Sequence, residues 1–345
     1  MNPLIWMLFI TSLSTSTIIT MASHHWLLAW IGLELNTLSI LPIIMKPHHP
    51  RATEATTKYF LIQTTAAAMI LFASTLNAWK TGHWTIMDSS YTLTNNMVLA
   101  AIMLKMGVAP AHLWYPDVIQ GSSFTTALII STWQKIAPLT LLCLTINHMP
   151  INAMLLMGLT SSLIGGWAGL NQTQTRKILA FSSIAHMGWL ITALTINTHL
   201  ATLTLTMYVV MTTTMFLALY TTDAKTLKDL GTAWSHSPAL LTTTTVTLMS
   251  LGGLPPLTGF MPKLMILKEL TTLGPLLLAT LLALTSLPSL YFYTRMAYLT
   301  TLTTPPNMTN TEHKWRFNPN TKMTTLVLTP SMMLLPIMPM LLPHS

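Results

Sequence analysis

Apolar runs of about 20 residues, parted by short polar stretches, make up most of this chain; a run of that length crosses the bilayer core as a helix. They predict about eleven spans, near Pro3–Met21, Trp26–Met45, Tyr59–Trp79, Asn96–Pro116, Thr125–Ile146, Ala153–Leu170, Ile178–Ile196, Leu200–Tyr220, Leu240–Leu267, Pro275–Tyr298 and Thr324–Leu342. Two of them are broken by their own residues. In Gly107-x-x-Pro110-x5-Pro116-Asp117 the proline removes a backbone donor and crowds the preceding turn, so no helix runs cleanly through. The same punctuation returns as Gly253-x-x-Pro256-x5-Pro262-Lys263. Broken backbone at membrane depth survives only where protein buries it or where it lines a wet cavity. Paired interrupted segments in two halves of a membrane chain point to a transport site. The plainer alternative is two proline kinks shaped by packing.

Composition agrees: of 345 residues 51% are hydrophobic and 7% charged, against about 25% charged in a soluble domain. The net charge of +8 comes from cations set singly in short loops, with no basic patch interleaved with aromatics, so topology explains it better than a nucleic-acid partner does. With an odd number of spans, the N-terminal side collects Lys46, Arg51, Lys58, Arg176, Lys177, Lys225, Lys228, Arg295, Lys314, Arg316 and Lys322, while the other side has Lys80 and Lys268. That bias places the N-terminus inside. Cys143 stands alone in an apolar run and reads as a small buried hydrophobe, excluding a disulfide framework and a thiolate cluster. The opening residues read as a first span and not as a cleavable leader. Trp26, Trp79, Trp84, Trp234 and Trp315 fall near span ends, as interfacial anchors do. Thr301–Lys322 reads as an irregular inside loop.

Four charges belong to neither surface. Glu34, Lys105, Lys135 and Lys263 lie near the middle of their spans, where a charge costs on the order of 3 kcal/mol and needs a partner or a purpose. Glu34 is expected to pair with a lysine of a neighbouring helix, and a lysine so held responds when a nearby charge moves. Lys135 could instead snorkel to an interface, though its stem is short for that. His112 and His186 are candidate proton relays or simple hydrogen-bonding histidines. No metal-ligand pattern, nucleotide fingerprint or phosphate loop occurs. Energy for transport therefore comes from an ion gradient or another subunit.

Several blocks resemble the antiporter-like membrane subunits of NADH–ubiquinone oxidoreductase, respiratory complex I. They are Gly-Leu-Glu-Leu-Asn around Glu34, Pro-Arg-Ala-Thr-Glu-Ala-Thr-Thr-Lys-Tyr-Phe from Pro50, Lys-Met-Gly-Val-Ala-Pro from Lys105 and Thr-Trp-Gln-Lys-Ile-Ala-Pro around Lys135. Gly-Leu-Asn-Gln-Thr-Gln-Thr-Arg-Lys before His186 and Leu-Gly-Gly-Leu-Pro-Pro-Leu-Thr-Gly-Phe-Met-Pro-Lys ending at Lys263 extend the match over nearly the whole chain. Asp117, Gln174 and Leu264 depart from the family pattern, which has Glu, an acid in bacterial relatives, and Trp there.

The resemblance implies an all-α integral membrane protein built of two inverted five-helix repeats, 1–147 and 148–300, followed by an inside loop and terminal span, 301–345. Each repeat would hold a discontinuous helix, near Lys105–Pro116 and Gly252–Lys263. It implies proton translocation through Glu34, Lys105, Lys135 and Lys263, with His112 and His186 as candidate relays. No cofactor is expected on this chain; NAD, FMN, iron–sulfur clusters and ubiquinone would belong to other subunits. Expected partners are neighbouring antiporter-like and small hydrophobic subunits, accessory subunits and phospholipids including cardiolipin, but no nucleic acid. The expected location is the mitochondrial inner membrane, N-terminus in the matrix and C-terminus in the intermembrane space. The rivals are a stand-alone cation/proton antiporter and a structural spacer that moves no protons.

Overall fold

The computed structural model describes residues 3–89, 91–232, 238–302 and Ser331. They form helices α1 (Pro3–Met21), α2 (Trp26–Met45), α3 (Pro50–Thr81), α4 (Thr92–Met106), α5 (Trp114–Gly121), α6 (Phe124–Ser131) and α7 (Ile136–Thr145). After these come α8 (Ile151–Gly169), α9 (Thr175–Ile196), α10 (Thr198–Thr222), α11 (Leu227–Thr232), α12 (Pro238–Gly252), α13 (Phe260–Leu273) and α14 (Leu276–Leu302). There is no strand among the described residues. Two compact units, Met1–Met157 and Gly158–Ser345, divide the chain within α8.

Among the described residues eight helical segments are long and apolar enough to span a membrane, counting Phe124–His148 as one. Two further predicted spans are the interrupted ones: Asn96–Pro116 is divided between α4 and α5, and Leu240–Leu267 between α12 and α13. Apart from Ser331, the predicted terminal span Thr324–Leu342 lies outside the described residues, as do Trp234, Trp315 and most of the Thr301–Lys322 loop.

Threonine and serine are tolerated in these helices because each hydroxyl can return to its own backbone. Exposed Thr11 donates to the Leu8 carbonyl at 3.0 Å, and half-buried Ser14 to that of Thr11 at 2.9 Å. No polar hydrogen is then left facing lipid. Histidines start two spans: Nδ1 of His25 accepts from Leu27 N–H and Nδ1 of His49 from Arg51 N–H, each at 3.2 Å. The second cap, with Pro50 in the first turn, begins α3 well before the predicted Tyr59. Its extra turns carry Lys58, which pairs with Glu54 at 2.7 Å and with Asp117 of α5 at 2.8 Å.

In the first unit α2 packs between α1 and α3, and α3 also meets α4 and α5. Trp26 departs from its predicted interfacial role: it is 2% exposed and packed in the core, whereas Trp79 is 84% exposed as an anchor should be. Cys143 is half-buried on α7 and not enclosed as expected.

The second unit is built around α9, whose apolar stretch is 89% buried and which meets α10, α13 and α14. Small residues bring α8 onto it: a Cβ added at Gly165 would stand 2.6 Å from the Ala185 nitrogen. Such close backbone approach replaces hydrophobic driving force where lipid is the solvent. Arg295 of α14 donates to the carbonyls of Leu170 and Gln172, both at 2.6 Å, and so holds the turn that ends α8.

Candidate functional site

Both predicted breaks close with the same backbone device. At the end of α4, Gly107 N–H bonds to the Leu104 carbonyl and Val108 N–H to that of Met103, with Gly107 at φ 69°. At the end of α12, Gly253 N–H bonds to the Ser250 carbonyl and Leu254 N–H to that of Met249, with Gly253 at φ 85°. This is the paired closure by which a left-handed glycine ends a helix. The prolines three residues on, Pro110 and Pro256, keep either helix from resuming.

The breaks leave carbonyls without helical donors, and side chains from other positions take part in satisfying them. In the second unit Gly252 faces Pro256, which has no N–H, and the Lys263 ammonium donates to the Gly252 carbonyl at 3.1 Å. Lys263 lies in the first turns of α13, just after the break, and not at the middle of a continuous span. Its Nζ stands 5.9 Å over the Trp189 ring of α9. One turn earlier on α9, His186 lies 3.4 Å from the Tyr293 hydroxyl and 5.7 Å, centroid to centroid, from the Tyr208 ring. Lys263 and His186 thus reach the same stretch of the buried helix.

In the first unit Lys105 occupies the last turn of α4 and is 7% exposed. Its carbonyl, beyond the reach of the ended helix, accepts from Gln63 of α3 at 3.3 Å. Its ammonium nitrogen is buried and has no hydrogen-bond partner among the described residues. Lys135 is 2% exposed, which removes the snorkelling alternative. It ends a short 3-10 turn, Trp133–Lys135, that separates α6 from α7, and its Nζ sits 4.7 Å over the Tyr115 ring. Lys105 and Lys135 line one small cavity with Asn36, Thr37, Tyr59, Gln63 and Gln134. The cavity measures about 10 Å³ as room for a water's centre, space for about one water.

The sequence reading missed two things here. The span Thr125–Ile146 is broken at Lys135, and the available signal was Pro138, which fits the first turn of a new helix. The uncharged wall was also missed. Gln134 Nε2 donates to Asn36 Oδ1 at 3.2 Å, and the Tyr59 hydroxyl makes a long 3.4 Å contact with Gln134 Oε1. Amides inside apolar runs were its visible trace.

Two expectations fare differently. Glu34 makes no direct ion pair with Lys105: its carboxylate accepts from the Thr37 hydroxyl at 2.9 Å, one turn along its own helix. His112 is buried in the loop between α4 and α5, its Nδ1 3.2 Å from the Pro110 carbonyl, and it is not on the cavity wall. Asp117, which closes the first break motif, is exposed and ion-paired, unlike its counterpart Lys263.

The profile of the family described as NADH:quinone oxidoreductase/Mrp antiporter, TM, matches residues 23–288. The chain belongs to that family. A second profile, NADH dehydrogenase subunit 2 C-terminus, matches residues 290–342. The NADH-ubiquinone oxidoreductase chain 2 of Carassius auratus is 54% identical over 92% of this chain and 91% of its own. That of Cyprinus carpio is 52% identical over 99% of both. Among solved structures, a chain of respiratory complex I from Thermus thermophilus matches with a TM-score of 0.83 at 28% identity, over 96% of this chain and 79% of that one.

Proposed function

We infer that this chain is a core membrane subunit of respiratory complex I, the proton-translocating NADH:ubiquinone oxidoreductase, and that it takes part in moving protons across the mitochondrial inner membrane. The observation that carries the reading is the placement of Lys105 and Lys135, both almost fully buried, on one small cavity of mixed polar and apolar lining at two helix interruptions. A buried cation beside irregular backbone is a costly arrangement whose best-supported use is an ion or proton path. Redox chemistry elsewhere perturbs the charges; Glu34 and Lys105 exchange a proton, Lys135 passes it, and Lys263, hydrogen-bonded at the second break, releases it or hands it on. His112 and His186 support the route. Moving one charge through 100 mV is worth about 2.3 kcal/mol, within the range of a single buried electrostatic contact, so modest switching suffices.

In this reading the flavin, iron–sulfur and quinone sites belong to partner subunits, and neighbouring antiporter-like subunits, accessory subunits and phospholipids including cardiolipin surround the chain. Its halves, 1–147 and 148–300, act as inverted repeats, with the N-terminus on the matrix side and the C-terminus on the intermembrane-space side. The test is the ratio of protons moved to electrons transferred in closed vesicles carrying the assembled complex. Lys105→Met or Lys135→Met lowers that ratio while NADH oxidation continues; an unchanged ratio in both variants refutes the assignment. Because the family description spans Mrp antiporters, a stand-alone antiporter is the second reading. On a native gel it would run alone, without NADH-oxidising activity.

A further inference from the structure

Glu34 carries the acid of the proposed route, yet its carboxylate is not on the cavity that holds Lys105 and Lys135. Thr37 is on it. This threonine is 4% exposed, and its hydroxyl lies 2.9 Å from Glu34 Oε2 and 2.8 Å from the Glu34 carbonyl. Many buried hydroxyls among the described residues bond to the carbonyl of the preceding turn, as Thr204 and Thr214 do. Thr37 has that bond within reach and a carboxylate besides. A hydroxyl has one proton to give and two lone pairs that accept. It can therefore turn its proton between the two Glu34 oxygens while accepting from the cavity side. Lys105, whose ammonium is buried and without a hydrogen-bond partner among the described residues, lines the same cavity, a space that holds about one water.

We propose that Thr37 is the relay hydroxyl through which Glu34 and Lys105 exchange a proton, and that direct contact of the two charges is not required. This rests on the functional reading above. The Lys105 ammonium releases a proton to a water in the cavity, that water passes one of its own to Thr37 Oγ1, and Thr37 gives its hydroxyl proton to Glu34 Oε2. One N–H bond breaks and one carboxyl O–H bond forms; the water and the hydroxyl each take one proton and give one. The result is a neutral amine and a carboxylic acid, with no electrons moved. The reverse sequence recharges the pair.

The alternative is that Thr37 only fills space on α2, and two substitutions separate these roles. Thr37→Val keeps the shape and removes the hydroxyl, whereas Thr37→Ser keeps the hydroxyl and removes the methyl. Each is assayed as assembled complex in closed vesicles for protons moved per electron, beside Lys105→Met. The relay predicts that Thr37→Val lowers the ratio by as much as Lys105→Met does, and that Thr37→Ser restores it. A Val variant with the normal ratio beside a defective Lys105→Met overturns the relay and leaves the functional reading standing. Normal ratios in both overturn that reading and the relay with it. A defect in Ser that Val lacks assigns Thr37 to packing and also overturns the relay. Should Thr37→Val fail to assemble, Thr37→Ala takes its place under the same criteria.

Discussion

Adjacent glycines at the second break allow the local geometry of Lys263 to be tested without touching the lysine. A Cβ added at Gly253 would lie 2.9 Å from the Lys263 ammonium and 3.2 Å from its Cδ, and the backbone there has φ 85°. A Cβ added at Gly252 would meet nothing closer than the Tyr293 Cβ at 3.8 Å, an ordinary contact. Left-handed backbone costs a residue with a side chain about 1 to 2 kcal/mol. Moving the ammonium off the Gly252 carbonyl, which it meets at 3.1 Å, forfeits a charged hydrogen bond of about 1.5 to 3 kcal/mol. Together the two terms put Gly253→Ala at about 2.5 to 5 kcal/mol of local destabilisation, and Gly252→Ala near zero or slightly favourable, since alanine suits a helix better than glycine. The assay is again protons per electron in vesicles, with NADH oxidation as the control for assembly. Gly253→Ala is expected to reduce the ratio and Gly252→Ala to leave it unchanged. Equal behaviour of the two variants would refute the claim that Lys263 is held by the closure of α12.

Two further outcomes follow from contacts away from the cavity. Gly165→Val should prevent α8 from seating on α9, because even its Cβ would stand 2.6 Å from the Ala185 nitrogen; loss of the assembled complex on a native gel checks this. Outside the membrane-spanning helices, Asp229 accepts from the backbone N–H groups of Thr226 at 2.8 Å and Lys225 at 3.1 Å. The Thr226 amide first, and then the other donors, hold its carboxyl below the usual aspartate value. A depressed acid contributes stability above its unfolded value, about 3.9, and loses it as the pH falls through the folded one. Amide protection factors over Leu227–Thr232, with the intrinsic pH dependence of exchange divided out, should therefore stay flat from neutral pH down to that value and fall below it. Asp229→Asn should abolish this pH dependence.

What the sequence made legible was whatever a residue imposes on its own backbone. Gly107 with Pro110 and Gly253 with Pro256 announce their breaks because positive φ and a missing N–H are local facts. The break before Lys135 hides for the converse reason. Pro138 stands in the first turn of a new helix, but Pro42 and Pro288 sit inside α2 and α14, which continue through them. A proline allows either outcome, and at Lys135 the broken one is accompanied by Gln134 reaching Asn36 on α2, a contact with a residue nearly a hundred positions away in the chain. The buried charges divide along the same line. Residue type alone tells that Lys105 and Lys135 are costly at mid-span, and the structure buries both. Which group answers each charge depends on distances that no spacing rule supplies. Glu34, expected to reach a lysine on another helix, is met by the hydroxyl three residues along its own, and Lys135 by the ring face of Tyr115. A carboxylate so held makes no direct ion pair with Lys105, so a proton exchanged between the two needs an intermediary, and on the relay proposed above the Thr37 hydroxyl and a water in the cavity supply it.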